Sequence, residues 1–302
     1  MRTPITICLL LLTLFAVGQV KFQNKTVQPA LKVKKDQTFL VSILHSKTKS
    51  DSKKPPEGGS IRYEALVTVI DSTEDEFTFR WRYQPSKSAE ASPEAQAMMT
   101  LIGGLDLIYK TDGTGGFKEL VNWEAVRDHY LRIVEASIPK KEGDSTNENL
   151  EKVKAMFSTK AVVQSAFIKE IQLLHSLYGQ VYSTRLEKSS TFMTLPISEE
   201  PVPAMVAAQV TEMKPISYTV KTSQNIDKAG ALKVFEQMFR KMGLTDDKQL
   251  LEAKNALTSF QMSDTGSYTM STKTGLPIKA IYKRVGGGAG VAQTEVYELT
   301  VK

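Results

Sequence analysis

Three short stretches hold residue types that could do acyl-transfer chemistry. Ser46-Lys-Thr-Lys49 places a serine three residues before a lysine, Ser223-Gln-Asn225 adds a hydroxyl and an amide, and Lys273-Thr-Gly275 adds a second lysine. A serine at the start of a buried helix, with lysine one turn on, becomes a nucleophile because the desolvated amine draws off its proton. The surroundings of Ser46 do not promise such a helix. It opens a hydrophilic segment, Ser46 to Ser60, rich in Lys, Ser, Pro and Gly and containing Pro55-Pro56. That composition reads as a long hairpin loop in water, where a lysine keeps its proton. Lys273-Thr-Gly275 reads as a turn.

Other chemistries have thinner support. The three histidines, His45, His129 and His175, lie far apart, without a His-Glu-x-x-His pair or a cysteine partner, so no metal site is assigned. Asp112-Gly-Thr-Gly115 lacks the alternating acids and closing glutamate of a calcium loop. Asp246-Asp247 follows Thr245, where carboxylates stabilise a helix start, and Glu74-Asp75-Glu76 reads as a solvated turn. Gly286-Gly-Gly-Ala-Gly290 is followed by a strand pattern, whereas a phosphate cradle needs a helix N-terminus next. There is no Gly-x-Ser-x-Gly elbow. No catalytic, cofactor-binding or metal-binding residue is assigned, no cofactor is expected, and the chain reads as a non-enzyme.

What remains is apolar. Phe77, Phe79, Trp81 and Tyr83 alternate with Thr78, Arg80, Arg82 and Gln84, the clearest period-two signal in the chain. It predicts a strand with an aromatic face inward and a cationic face outward. Phe79, Trp81, Trp123, Phe167 and Phe239 are the candidates for the lining of an apolar cavity, or for a filled core, between sheet and helices.

The elements that must position them follow from periodicity. Strands are predicted at Thr38–His45, Arg62–Ile70, Phe77–Tyr83 and Leu105–Tyr109. A helix capped by Asn122 carries the stripe Trp123, Val126, Tyr130, Ile133 and Val134. Ser158 caps a second, with Val163, Phe167, Ile171, Leu174 and Tyr178, closed by Gly179. Strands return from Val181 to Lys221, followed by a helical pair bearing Leu232, Phe235, Met238, Phe239 and Met242, then Leu250, Leu251 and Leu257. A three-strand meander from Ser267 to Val301 ends the chain. Consecutive antiparallel strands with grouped helices define an α+β class: a large curved antiparallel sheet with helices packed on one face. The expected organisation is one α+β domain over residues 19–302, strand-rich at 36–112, helical at 119–179, and strand-rich with a helical pair at 180–302.

Residues 1–18 read as a signal peptide: Arg2, an apolar run from Ile5 to Val17, and small residues at Ala16 and Gly18. The run is 13 residues long, short of the roughly 17–25 of a membrane-spanning helix. Cys8 lies early in it, not at the cleavage point, so a lipid anchor is not expected. The only cysteine leaves with the signal, and the mature chain must be stabilised by its core rather than by disulfides. Hydrophobic content of 41% and charged content of 24% suit a globular protein. The net charge of +6 is spread along the chain, with its densest patch at Lys47, Lys49, Lys53 and Lys54, so no nucleic-acid partner is expected. Export, to the periplasm or the cell exterior, is the expected localisation.

Two stretches carry a resemblance. Lys118-Glu-Leu-Val-Asn-Trp-Glu-Ala-Val-Arg127, after a Gly-rich turn, and Asp264-Thr-Gly-Ser267 with Thr274-Gly-Leu-Pro277 resemble exported proteins of Bacteroidota, a family of unknown function. The strand, Thr-Gly-Leu-Pro, strand tail is also similar in architecture to periplasmic lipoprotein-carrier folds, in which a curved sheet wraps helices around a greasy cavity. The order of Ser-x-x-Lys, Ser-x-Asn and Lys-Thr-Gly resembles penicillin-binding and serine β-lactamase enzymes, which also work outside the cytosol. The functional expectation is an exported bacterial protein, non-enzymatic, that binds lipid or another hydrophobic ligand in the cell envelope. A structural or protein-interaction module with a filled core is the alternative, and a serine acyl-transfer enzyme the third reading.

Overall fold

In a computed structural model, the structure describes residues 20–21, 23–84, 103–137, 145–195, 198–241, 259–288 and 290–302. Residues 1–18, expected to be a signal peptide, and the second member expected of the last helical pair lie outside the described residues.

The long strands form one antiparallel sheet of eleven: β3 (Thr38–Asp51), β4 (Lys54–Ser72), β5 (Glu76–Gln84), β6 (Asp106–Asp112), β7 (Phe117–Leu120), β9 (Glu187–Leu195), β10 (Ser198–Met213), β11 (Ser217–Ile226), β12 (Gln261–Ser271), β13 (Pro277–Gly288) and β14 (Val291–Val301). Their order is β7-β6-β5-β4-β3-β14-β13-β12-β11-β10-β9. The first and last parts of the chain are each a meander, and the two meet where β3 pairs with β14. Three two-residue strands, β1 (Val20–Lys21), β2 (Thr26–Val27) and β8 (Tyr182–Ser183), make a separate small sheet. The helices are α1 (Trp123–Ser137), α2 (Ser145–Met156), α3 (Lys160–Phe167), α4 (Lys169–Leu174) and α5 (Lys228–Lys241). The class is α+β, as the grouping of strands and helices predicts.

One face of the sheet is buried, and the alternation of side chains explains why. On β5, Phe77, Phe79, Trp81 and Tyr83 are buried, while Arg82 points outward and makes a two-pronged ion pair with Asp106 on the neighbouring strand. Valines, leucines and tyrosines on β3, β4, β6 and β10 to β14 continue this inner face, against which Val126 of α1, Val163 of α3 and Ile171 and Leu174 of α4 pack. A second, smaller apolar cluster joins Met193, Val202, Ala204, Ile226 and Met262 to Ala231 of α5.

Several local expectations are corrected. Ser46 to Ser60 is not a loop: β3 and β4 pair almost to their tips, leaving only Ser52 and Lys53 between them. Backbone register decides this where composition could not. Gly58 lets the strands close, since a Cβ there would sit 2.4 Å from the Lys47 carbonyl oxygen. Pro55 and Pro56 are tolerated because they sit in the register shift between the Lys49–Glu57 and Asp51–Lys54 pairs, where neither has a partner on β3. Asn122 does not cap α1 with its side chain. Its amide instead bridges the Ile108 N–H and the Asp106 carbonyl of β6. The helix expected from Ser158 begins one residue later, with Thr159 as cap, and is divided at Ile168 into α3 and α4.

Candidate functional site

Reading the inner face row by row across the strands exposes a feature that the sequence does not announce. The row Ala204–Ile226 is apolar, as is the row Val210–Val220. Between them runs Val206–Gln224–Asp264–Arg284–Glu295–Lys47, in register across β10, β11, β12, β13, β14 and β3. Its charges alternate in sign. This row separates the two apolar clusters, and a cleft of about 370 Å³ opens over its β10–β13 portion.

The opposite wall of the cleft is α4 and the turns that follow it. Lys169, Gln172, Leu173, Ser176, Leu177 and Gln180 all line it, and their spacing of three and four residues is that of one helical face. Val206 and Ala208 give the floor an apolar end on β10, while Asp264, Tyr268, Tyr282 and Arg284 give it a polar end on β12 and β13. The cleft is therefore amphipathic along its length.

Its charged groups are arranged unequally. Arg284 Nε donates to Asp264 Oδ1 at 2.8 Å and its Nη2 to Oδ2 at 2.6 Å, a fork-to-fork pair that raises the guanidinium pKa still further. Glu295 accepts from His45 Nε2 at 2.8 Å and lies 3.2 Å from Lys47 Nζ. The His45 hydrogen bond, followed by the Lys47 charge against an opposing cost of burial, holds this carboxyl at about 2. The His45 ring also stacks on Tyr297 at 4.1 Å. Glu170, beside Lys169 in sequence, is buried and accepts from the hydroxyls of Tyr63 and, at 3.4 Å, Tyr83. Lys169 differs from all of these. Its ammonium lies 4.5 Å from the centre of the Tyr282 ring, and no carboxylate among the described residues pairs with it within 4.0 Å. Burial, then the Arg284 charge, lowers its pKa below the ordinary lysine value.

The aromatic residues singled out by the sequence pattern lie elsewhere. Phe79 and Trp81 are fully buried in the main core, where Phe79 stacks on Tyr109 at 5.1 Å and Trp81 meets Tyr83 edge-on at 6.0 Å. Trp123 is half-buried on α1 beneath the Arg127 guanidinium. Phe167 packs with Tyr130 and Phe157, in a cluster formed by the helices and the turn between α2 and α3. Phe239 belongs to α5, and its side chain lies outside the described residues. None of the first four lines the cleft. Among the cleft residues, Lys169 and Arg284 carried no motif. Their only sequence signal is a cation near apolar or aromatic residues, Phe167, Ile171 and Leu173 for Lys169 and Ala280 and Tyr282 for Arg284.

The three acyl-transfer motifs are not assembled into a site. Ser46 and Lys49 lie on β3, an odd number of residues apart, and so face opposite sides of the sheet. Ser46 and Ser223 share a row but are four strand spacings apart, about 19 Å along the sheet. Lys273-Thr-Gly275 is the β12–β13 turn, and the Gly275 carbonyl accepts a hydrogen bond from Tyr178. Asp112 is occupied by its own loop: Oδ1 accepts from the N–H groups of Thr114, Gly115 and Gly116 and from the Thr114 hydroxyl. Among the described residues no three His, Cys, Asp or Glu side chains are grouped to hold a metal ion, and no helix is long and apolar enough to cross a membrane.

The architecture so defined is an eleven-stranded antiparallel sheet carrying helices and an amphipathic cleft on one face. No protein-family model matches the chain, and no curated protein sequence matches it. Among solved structures it is similar to lipovitellin, in a study of lipid–protein interactions, at a TM-score of 0.41 and 9% identity over 90% of this chain. The chain spans only 25% of that lipovitellin chain. An outer membrane channel from Pseudomonas putida F1 gives a TM-score of 0.19 at 8% identity, covering 90% of this chain and 98% of that one. A loop-deletion mutant of OmpT, an outer membrane protein of Vibrio cholerae, gives 0.23 at 6% identity, covering 89% and 100%. Likenesses at this level carry no functional argument.

Proposed function

We propose that this chain is an exported, non-enzymatic protein of the bacterial cell envelope that binds a hydrophobic or amphiphilic ligand between α4 and strands β10 to β13. The observation that carries the reading is the cleft itself. Its volume of about 370 Å³ lies within the roughly 300–1,000 Å³ of small-molecule sites. Leu173, Leu177, Val206, Ala208 and three tyrosines supply apolar surface, and amide and hydroxyl groups surround them. The separation of the acyl-transfer motifs favours binding over catalysis. The ligand seat is the amphipathic cleft, because the space around Phe79 and Trp81 is filled by other side chains.

Native mass spectrometry of the mature protein purified from its own envelope tests this reading. Co-purified lipid or another amphiphile supports it. A consistently ligand-free protein that takes nothing from a lipid extract would exclude it and favour an interaction module with a filled core.

A further inference from the structure

The charges around the cleft balance in number but are not paired one to one. Every carboxylate near Lys169 is already committed: Asp264 to both prongs of Arg284, Glu295 to His45 and Lys47, and Glu170 to the hydroxyls of Tyr63 and Tyr83. Arg284 is neutralised in the same way. Lys169 is left as a half-buried ammonium on the cleft wall, 4.5 Å from the centre of the Tyr282 ring and without an ion-pair partner within 4.0 Å among the described residues. A cation removed from water without an anion is costly, and an entering anion recovers that cost. At the other end, Val206 and Ala208 of β10 stand three strand spacings from β13, about 14 Å along the floor.

We propose, on the reading above that the cleft binds an amphiphile, that its ligand is a monoanionic one: a carboxylate on an alkyl chain, with the head group on Lys169 Nζ and the chain directed toward Val206 and Ala208. One unpaired cation matches one negative charge. A dianionic phosphate would need a second free cation, and Arg284 is held by Asp264. Leu173 and Leu177, one and two turns beyond Lys169, cover the chain from the helical side.

Isothermal titration of the mature chain with dodecanoate and with 1-dodecanol, which has the same chain length and no charge, tests this. A charge-assisted contact makes dodecanoate bind about ten- to a hundredfold tighter than the alcohol. Lys169→Met, checked for folding by thermal melting, brings the two affinities to within about twofold, and Lys169→Arg restores the preference. Equal affinity of the wild type for both probes overturns the anionic ligand while leaving a binding cleft. A preference that survives Lys169→Met overturns the assignment to Lys169. If neither probe binds, the cleft reading falls as well.

Discussion

His175 offers the most direct quantitative test of the buried polar structure. Its ring is enclosed where the turn after α4 meets β6 and the Gly115 loop. Nδ1 lies 2.8 Å from the Gly115 carbonyl oxygen, which can only accept, so Nδ1 carries the proton. In the neutral ring Nε2 then accepts from the Tyr109 hydroxyl at 3.0 Å. Protonating Nε2 would turn that acceptor into a donor inside the core. Burial accordingly lowers the pKa from 6.5 to about 4, against smaller opposing effects of the Gly115 hydrogen bond and Asp112. Between those values the unfolded chain binds one proton more than the folded chain, so stability rises with pH. The contribution is complete above about 6.5 and is lost as pH falls toward about 4, at up to about 1.36 kcal/mol per pH unit. Urea unfolding of the wild type and His175→Gln, from about pH 7.5 to about pH 4.5, isolates it, because other titrating groups cancel in the difference. The stability advantage of the wild type is expected to shrink by about 2–3 kcal/mol over that range. A difference that stays constant within about 0.5 kcal/mol, or a His175 ring signal that titrates at the ordinary histidine value, would refute the argument.

Three further outcomes are expected. Glu170→Ala leaves the buried hydroxyls of Tyr63 and Tyr83 without their acceptor, and is expected to cost about 2–5 kcal/mol in denaturant unfolding; a loss below about 1 kcal/mol would argue against this network. Tyr218→Phe acts in the opposite direction: its hydroxyl is buried without a hydrogen-bond partner, so the variant should gain about 1 kcal/mol, and a clear loss of stability would contradict this. Gly115→Ala places a Cβ 2.6 Å from Leu31 Cγ at a φ of +110°, with an expected cost of at least about 2 kcal/mol; a melting temperature equal to wild type would show that the loop adopts another conformation.

Much of the fold is legible in the sequence because it rests on local periodicity. The alternation from Phe77 to Tyr83 is sufficient to define β5 and its buried face, and the Lys273-Thr-Gly275 turn and flanking strands lie where turn chemistry puts them. The hairpin tip at Ser46–Ser60 is hidden, because solvated strand ends rich in Lys, Ser, Gly and Pro have the composition of a loop, and only the pairing of β3 with β4 and β14 reveals them. The cleft is hidden for a related reason. Asp264 and Arg284 are 20 residues apart and Lys169 belongs to another element altogether, so no spacing rule joins them.

The sequence by itself determined the alternating faces of the strands and the apolar stripes of the helices, since each depends on residues a few positions apart. Tertiary structure decided the rest. Strand register brought Gln224, Asp264, Arg284, Glu295 and Lys47 into one row from separate strands of the chain. The docking of α4 across that row then set Lys169 above Tyr282. Which charges pair with one another is a property of distance and burial, and neither exists until the sheet has formed.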